Sequence, residues 1–457
     1  MNERLNVMLK GPILKMVCKL SFPNFIGVSS MTLVIFADAF FVGQLGIISL
    51  ASLALVFPFT SLMQMMSAGA IGGATTSSIS RSLGNGLNSN AETAAWHAIV
   101  IGIIISLIFT ILLGFFPKYI FNLMSNENEV LNGAVRYAQI AFGGAVFIWL
   151  VYIFSAILRA LGDVITPARV QILGGLVQVF LSGTLTLGWF EIPKFGILGP
   201  AIAMVITHVT MALYLFIHIQ FKQSQIRLVP QFINKKSFLD IMKVGSGGLI
   251  NSITIAGTVA VVTGTVSNYG IEALAGYGLG SRLEIILTPL VFGIGSVLTA
   301  SVGVNIGAKQ FLRARKIAWT GAAISFLMVG IIGFTVTVFP EIWLNNFNAN
   351  FLTKQFGILY LSIVAPFYCL FGAGQALYFA SQGTGKIALP VSVGVLRFAT
   401  VSITAYLALH FSLTIDIIFY AVSVGLTITG VGLALCLFGP DWKSSNEVLA
   451  INTMKLC

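Results

Sequence analysis

Twelve stretches of apolar residues, each long enough to cross a hydrocarbon layer, divide this chain, and only short polar, Pro/Gly or charged breaks separate them. A crossing takes ~20 mostly apolar residues. The stretches run over residues 17–42, 50–79, 94–116, 134–157, 166–188, 197–220, 241–266, 275–304, 316–338, 357–380, 387–409 and 414–438. Inside a bilayer the backbone finds no water to bond, so each stretch must close its own hydrogen bonds as a helix. Composition agrees: 57% of the residues are hydrophobic and 9% charged, where a water-soluble domain gives about a quarter to charge. The 47 glycines suit helices that must approach closely without a hydrophobic drive between them. The sequence therefore predicts an all-α integral membrane protein with twelve transmembrane helices.

Charge sets the expected orientation. With the N-terminus in the cytoplasm, all of the 25 lysines and arginines except Lys118, Arg136, Lys194, Arg282 and Lys354 fall on or beside the cytoplasmic face, Lys443 and Lys455 among them. Glu127, Glu129, Glu191, Glu272, Glu341 and Asp416 fall on the other side. This is the positive-inside pattern, and an even number of spans brings both termini inside, in a plasma (inner) membrane. The formal charge of +11 then faces anionic lipid, and no nucleic-acid partner is expected. Met1 to Gly11 carries Arg4 and Lys10, but no small-residue cleavage site follows the first apolar run, so that run reads as a retained span. Cys18, Cys369, Cys436 and Cys457 show no paired spacing and read as packing residues.

The chain repeats itself. Gly46-Ile47 and Leu50-Ala51 recur as Gly270-Ile271 and Leu274-Ala275. Further on, at a nearly constant separation, Gly84 recurs as Gly307, Ala95-Trp96 as Ala318-Trp319, Tyr137 as Tyr360, Gly162 as Gly385 and Pro167 as Pro390. Each half holds an even number of spans, so the repeats are parallel. The expected architecture is two pseudo-symmetric six-helix bundles, residues 1–220 and 241–457, with a central cleft between them. Residues 221–240 form the cytoplasmic linker, a basic, polar segment that reads as a solvated tether. Two such lobes in one chain supply a ligand cavity without a partner subunit, so a monomer is expected.

With the repeat in view, four segments resemble the multidrug and toxic compound extrusion (MATE) family. They are Asp38-Ala39-Phe40-Phe41-Val42-Gly43-Gln44-Leu45-Gly46; Ser80-Arg81-Ser82-Leu83-Gly84; Leu158-Arg159-Ala160-Leu161-Gly162-Asp163 with Pro167; and Val302-Gly303-Val304-Asn305-Ile306-Gly307-Ala308-Lys309 with Arg313-Ala314-Arg315. They lie in both halves and at the matching spans. The resemblance implies a V-shaped cleft and efflux driven by an inward proton or sodium gradient. It also implies a coupling role for Asp38, which corresponds to the family's N-lobe aspartate, and a bend of the first helix at Pro23 on protonation.

Ionisable residues at membrane depth cost ~2.5–3.5 kcal/mol even on lenient insertion scales, so each needs a reason. Asp38 sits among Val34, Ile35, Phe36, Phe40 and Phe41, where desolvation makes gain and loss of a proton a function of its surroundings; a helix cap or a polar pair is the plainer reading. Pro23 deletes a helical hydrogen bond, and is either a hinge or a static kink. Where relatives carry an asparagine and an aspartate in the fifth span, this chain has Gln178 and Ser182, four apart and on one helix face. Without that second carboxylate a sodium cage is harder to build, which favours protons over the sodium-coupled alternative. Glu284 is a second proton or cationic-substrate site, or one half of a structural ion pair. Arg282, two residues away, cannot face it. Arg397 either snorkels to the surface or pairs with a buried acid. His208 is a proton relay or a packed core histidine. In the seventh span, where some sodium-coupled relatives place a glutamate, only apolar and small residues follow Asn251, itself a candidate for the substrate or cleft.

No glycine loop for phosphate, no catalytic constellation and no clustered metal ligands appear, so neither an enzyme nor a resident cofactor is expected. The partners expected are lipid and small organic substrates. Arg282 and Arg397 are too few cations for the other candidate activity, a lipid or oligosaccharide flippase of the wider superfamily. A structural or receptor role would leave Asp38 and the duplication without purpose.

Overall fold

The computed structural model describes residues 3–124, 127–223, 225–347 and 350–442; Lys443, Lys455 and Cys457 lie outside them. The apolar stretches are helices: α1 (Ile13–Gly43), α2 (Ile47–Gly84), α3 (Asn88–Phe115), α5 (Ile165–Leu187), α6 (Leu198–Lys222), α7 (Lys235–Tyr269), α8 (Ile271–Gly307), α9 (Phe311–Val338), α10 (Phe351–Thr384), α11 (Ala388–His410) and α12 (Asp416–Cys436). The remaining span, α4, is the pair Asn128–Gly143 and Ala145–Ala160, bent by 46° at the break. Gly143-Gly144 explains the bend, because a glycine pair offers little resistance to a kink. With that bent pair taken as one span, the described residues hold twelve helices long and apolar enough to cross a membrane, and their ends differ from the sequence reading by a few residues.

The repeat is visible in the backbone. Gly46 and Gly270 share φ values of 110° and 111°, and Gly162 and Gly385 share 78° and 77°. A side chain is strained at such angles, so these matched glycines mark the same turns in each half. Pro167 and Pro390 are each the third residue of their helices, α5 and α11, where no helical N–H is lost. Two segments went unforeseen: Met65–Ile71 in α2 and Thr110–Phe115 in α3 are π-helical, a local widening common at functional sites.

Packing divides the chain into two compact units, Phe22–Gly245 and Ser246–Cys457 joined by Met1–Ser21. The chain thus changes unit inside α1 and inside α7. The first residues join the second unit because helix Glu3–Lys10 buries Leu5 and Met8 there, and Asn305 Nδ2 donates to the Met8 carbonyl at 3.1 Å. In the first unit α6 packs along α5 and α4. In the second, α8 is enclosed by α9 and α10. Glycines bring α8 and α10 close: a Cβ on Gly276 would meet Thr353 O at 2.6 Å, and one on Gly280 would meet the Tyr360 ring.

The linker is docked rather than solvated. Ile226 and Leu228 are buried while Arg227 and Val229 between them are exposed, the alternation of an extended segment lying on a surface. Gln231 Oε1 accepts from Thr93 Oγ1 at 2.6 Å, Glu92 Oε1 accepts from the Arg227 N–H at 3.0 Å, and Asp240 pairs with Arg81 at 2.6 Å. The average polarity of the segment hid these two apolar residues from a compositional reading.

Candidate functional site

In the first unit, small residues let α1 and α5 come together. A Cβ on Gly27 would meet Ala168 Cα at 2.9 Å, and one on Gly175 would meet Val34 and Met31 at 3.4 Å. Such closeness carries Asp38 of α1 onto the face of α5 that holds Gln178 and Ser182. Asp38 is only 9% exposed. Ser182 Oγ donates to its Oδ1 at 2.5 Å, and the Gln178 side chain forms a second hydrogen bond to the same carboxyl. The Tyr137 side chain, buried on α4, lies within electrostatic reach. No cation lies within ion-pair distance of Asp38 among the described residues. The Gln178 Oε1 atom is buried without a hydrogen-bond partner.

This donor set serves a carboxyl group in two states. As an anion, Asp38 takes hydrogen bonds from the hydroxyl and from the amide NH2. As a neutral acid it has a proton to place, and rotation of the Gln178 amide would present Oε1 as an acceptor. A hard cation instead requires several oxygens; one carboxylate, one hydroxyl and one amide oxygen make a sparse shell. No group of three or more His, Cys, Asp or Glu residues suited to a metal occurs among the described residues.

The second unit has its own acid among its helices, half-buried. Glu284 of α8 accepts from Tyr360 Oη at 2.6 Å and from Tyr368 Oη at 3.2 Å, both on Oε1. Tyr277 and Phe419 both stand edge-on to Tyr360, with ring centroids 5.3 and 5.1 Å away, closing an aromatic wall. Arg397 is 5% exposed, so it does not snorkel. Its Nη2 reaches Thr254 Oγ1 at 3.4 Å, its Nε has no partner, and its charge acts on Glu284.

The other candidates stand apart from both acids. Arg282 is exposed. Asn251 is buried, with its side-chain oxygen 3.0 Å from where a Gly394 Cβ would lie. His208 is buried and its Nδ1 bonds the Met204 carbonyl, 2.8 Å away on its own helix. Pro23 lies within the unbroken α1, next to buried Asn24, which accepts from Arg159 Nη1 at 3.3 Å. The tyrosines were the residues missed. Tyr137 and Tyr360 had a signal, since they are a matched pair in the repeat; Tyr368 had none.

The fold and these two acids, each hydrogen-bonded among its helices, define a duplicated, polytopic membrane protein with polar groups held inside each bundle. The MatE family model matches it twice, over residues 23–183 and 248–407. These two stretches make up more than half of the chain, and the protein belongs to the MatE family, whose members are transporters and not enzymes. It is 22% identical over 374 residues to the probable multidrug resistance protein YoeA of Bacillus subtilis, a match covering 80% of this chain and 81% of that one. The probable multidrug resistance protein NorM of Thermotoga maritima is 24% identical over 360 residues, 78% of this chain and 77% of that one. Among solved structures, a MOP superfamily transporter from Pyrococcus furiosus shares the fold with a TM-score of 0.88 at 20% identity, covering 95% of this chain and 97% of that one.

Proposed function

We propose that this transporter is a secondary active antiporter that exports organic, cationic and amphipathic compounds in exchange for inward protons, and that Asp38 is the exchanging group. One observation carries the reading: a buried carboxyl held by two neutral donors, Ser182 and Gln178, with no cation beside it. A proton needs a single oxygen and a partner able to switch between donor and acceptor. The relatives named for multidrug resistance support the substrate class. Buried carboxyls and aromatic walls suit organic cations.

In the cycle, a proton from outside neutralises Asp38, α1 bends at Pro23, and the substrate leaves outward; loss of the proton to the cytoplasm resets the site. The orientation belongs to the same proposal: plasma membrane, both termini cytoplasmic, one chain sufficient. Glu284 with Arg397 forms a second polar centre within the second unit, a site for the substrate. The test is ethidium export from proteoliposomes carrying wild-type protein or Asp38→Asn, with pH and sodium gradients imposed separately. Wild-type export should follow the proton gradient and the mutant should not respond to it. Export driven by sodium alone would overturn the choice of ion, and gradient-driven export by Asp38→Asn would remove Asp38 from the cycle.

A further inference from the structure

The segment between the halves is a strap fixed on the first unit at several points. Thr93 Oγ1 donates to Gln231 at 2.6 Å, Asn234 donates its backbone N–H to His97 Nε2 of α3 at 2.8 Å, and Asp240 Oδ2 accepts from Ser78 Oγ and from Arg81 Nη2, each at 2.6 Å. Ile226 and Leu228 are turned inward. The outward side of the strap is held in place by the same bonds, and it is apolar where a solvated tether would be polar. Phe232 is 99% exposed, Ile233 69%, Leu239 52% and Val229 47%.

Exposed apolar residues that cluster beside polar ones mark a surface meant to be covered. These four lie between Lys222, where α6 ends, and the first turns of α7, against the polar start of α3 at Glu92 and Thr93. That places them at the ends of spans, the depth of lipid headgroups, where aromatic rings and lysines are both at home. Charge selects the kind of headgroup. Lys235 and Lys236 are exposed, and Leu239 shares their helix face at a spacing of four and three residues. Residues 221–240 carry four cations, Lys222, Arg227, Lys235 and Lys236, and one carboxylate, Asp240. That carboxylate is paired with Arg81, and the neighbouring Glu92 accepts from the Arg227 N–H. The outward side thus offers apolar groups and positive charge together, the complement of an anionic lipid surface.

We propose that the outward side of residues 229–239 is an interfacial anchor for anionic phospholipid: Phe232 and Ile233 insert below the headgroups while Lys235 and Lys236 meet their net negative charge. The docked strap suits this role, because its side chains are oriented before lipid arrives and little ordering remains to oppose binding. Two lysines beside an anionic surface should favour insertion roughly thirtyfold over a zwitterionic one. Neither the coupling ion nor the direction of the termini enters the inference.

The experiment uses the full chain in vesicles whose two leaflets have the same composition, so the orientation of insertion does not matter. In a background lacking native cysteines, a nitroxide on Ile233→Cys reports its depth by colliding with oxygen, which concentrates among acyl chains, or with a nickel chelate, which stays in water. In phosphatidylcholine vesicles containing phosphatidylglycerol the label should favour oxygen; in phosphatidylcholine alone it should favour the chelate. Lys235→Gln together with Lys236→Gln should make the first vesicles behave like the second, and Phe232→Ser should leave the label in water in both. These side chains are exposed, so their replacement leaves the packing of the unit intact. A label in water in the anionic vesicles overturns the anchor, whatever the variants do. So does a depth that ignores lipid charge, or a preference for phosphatidylglycerol that survives loss of both lysines. Dipolar broadening between labels also overturns it, by assigning the surface to a second copy of the chain.

Discussion

The two bundles are copies in backbone and strangers in chemistry. The repeat that aligns Tyr137 with Tyr360 sets Val262 opposite Asp38, Val401 opposite Gln178 and Ala405 opposite Ser182. Each bundle nevertheless carries an acid within its helices that meets a tyrosine, Asp38 on the first helix of the first unit and the half-buried Glu284 on the second helix of the other. A tyrosine from the matched position stands beside the acid in both. Their company differs: Asp38 has only neutral partners, whereas Glu284 has two phenols and a buried guanidinium. A duplicated scaffold can thus keep its helices while its polar groups move to other helices, because any inward-facing position near the tyrosine brings an acid to the same neighbourhood.

The sharpest test of this contrast compares the acids themselves. Asp38→Asn is expected to lower gradient-driven dye export to the no-gradient background, while Glu284→Gln reduces the rate but leaves the gradient dependence in place. The reverse pattern would break the comparison. Ser182→Ala removes a hydrogen bond to a charged group, worth about 1.5–3 kcal/mol, and should slow export by roughly tenfold or more; Ser182→Thr should recover most of that. In the second unit, Tyr360→Phe should lower stability by about 1–2 kcal/mol in thermal unfolding and Tyr368→Phe by less, following their 2.6 and 3.2 Å bonds to Glu284. Equal losses would mean that Glu284 does not distinguish the two phenols. The smallest effect is expected at His208, which bonds only its own helix: His208→Gln should leave export within about twofold of wild type.

Much of this was legible in advance, for local reasons. A carboxyl amid Val34, Ile35, Phe36 and Phe40 stands out in any window of sequence, and Gln178 and Ser182 share a helix face by spacing alone. The partners of Glu284 were hidden because Tyr360 and Tyr368 lie 76 and 84 residues away and look like ordinary aromatic residues of a membrane helix. Arg397 was ambiguous for the same reason: a long cationic side chain can run along its helix to the surface or turn inward, and only its neighbours on α7 and α8 decide. The docking of residues 226–240 depended on two buried aliphatic residues and on His97 in a distant span.

The number of crossings, their helical state, the duplication and the exceptional place of Asp38 follow from the sequence by itself, since each rests on hydrophobicity along a window or on residues a few positions apart. Which acid meets which tyrosine, the bend at Gly144, the π-helical turns in α2 and α3 and the contact of Asn234 with His97 were decided by tertiary structure. A helix that is apolar on every side carries little information about which side faces its neighbour. Small residues and shape complementarity turn it to its final angle, and only that rotation brings distant polar groups together.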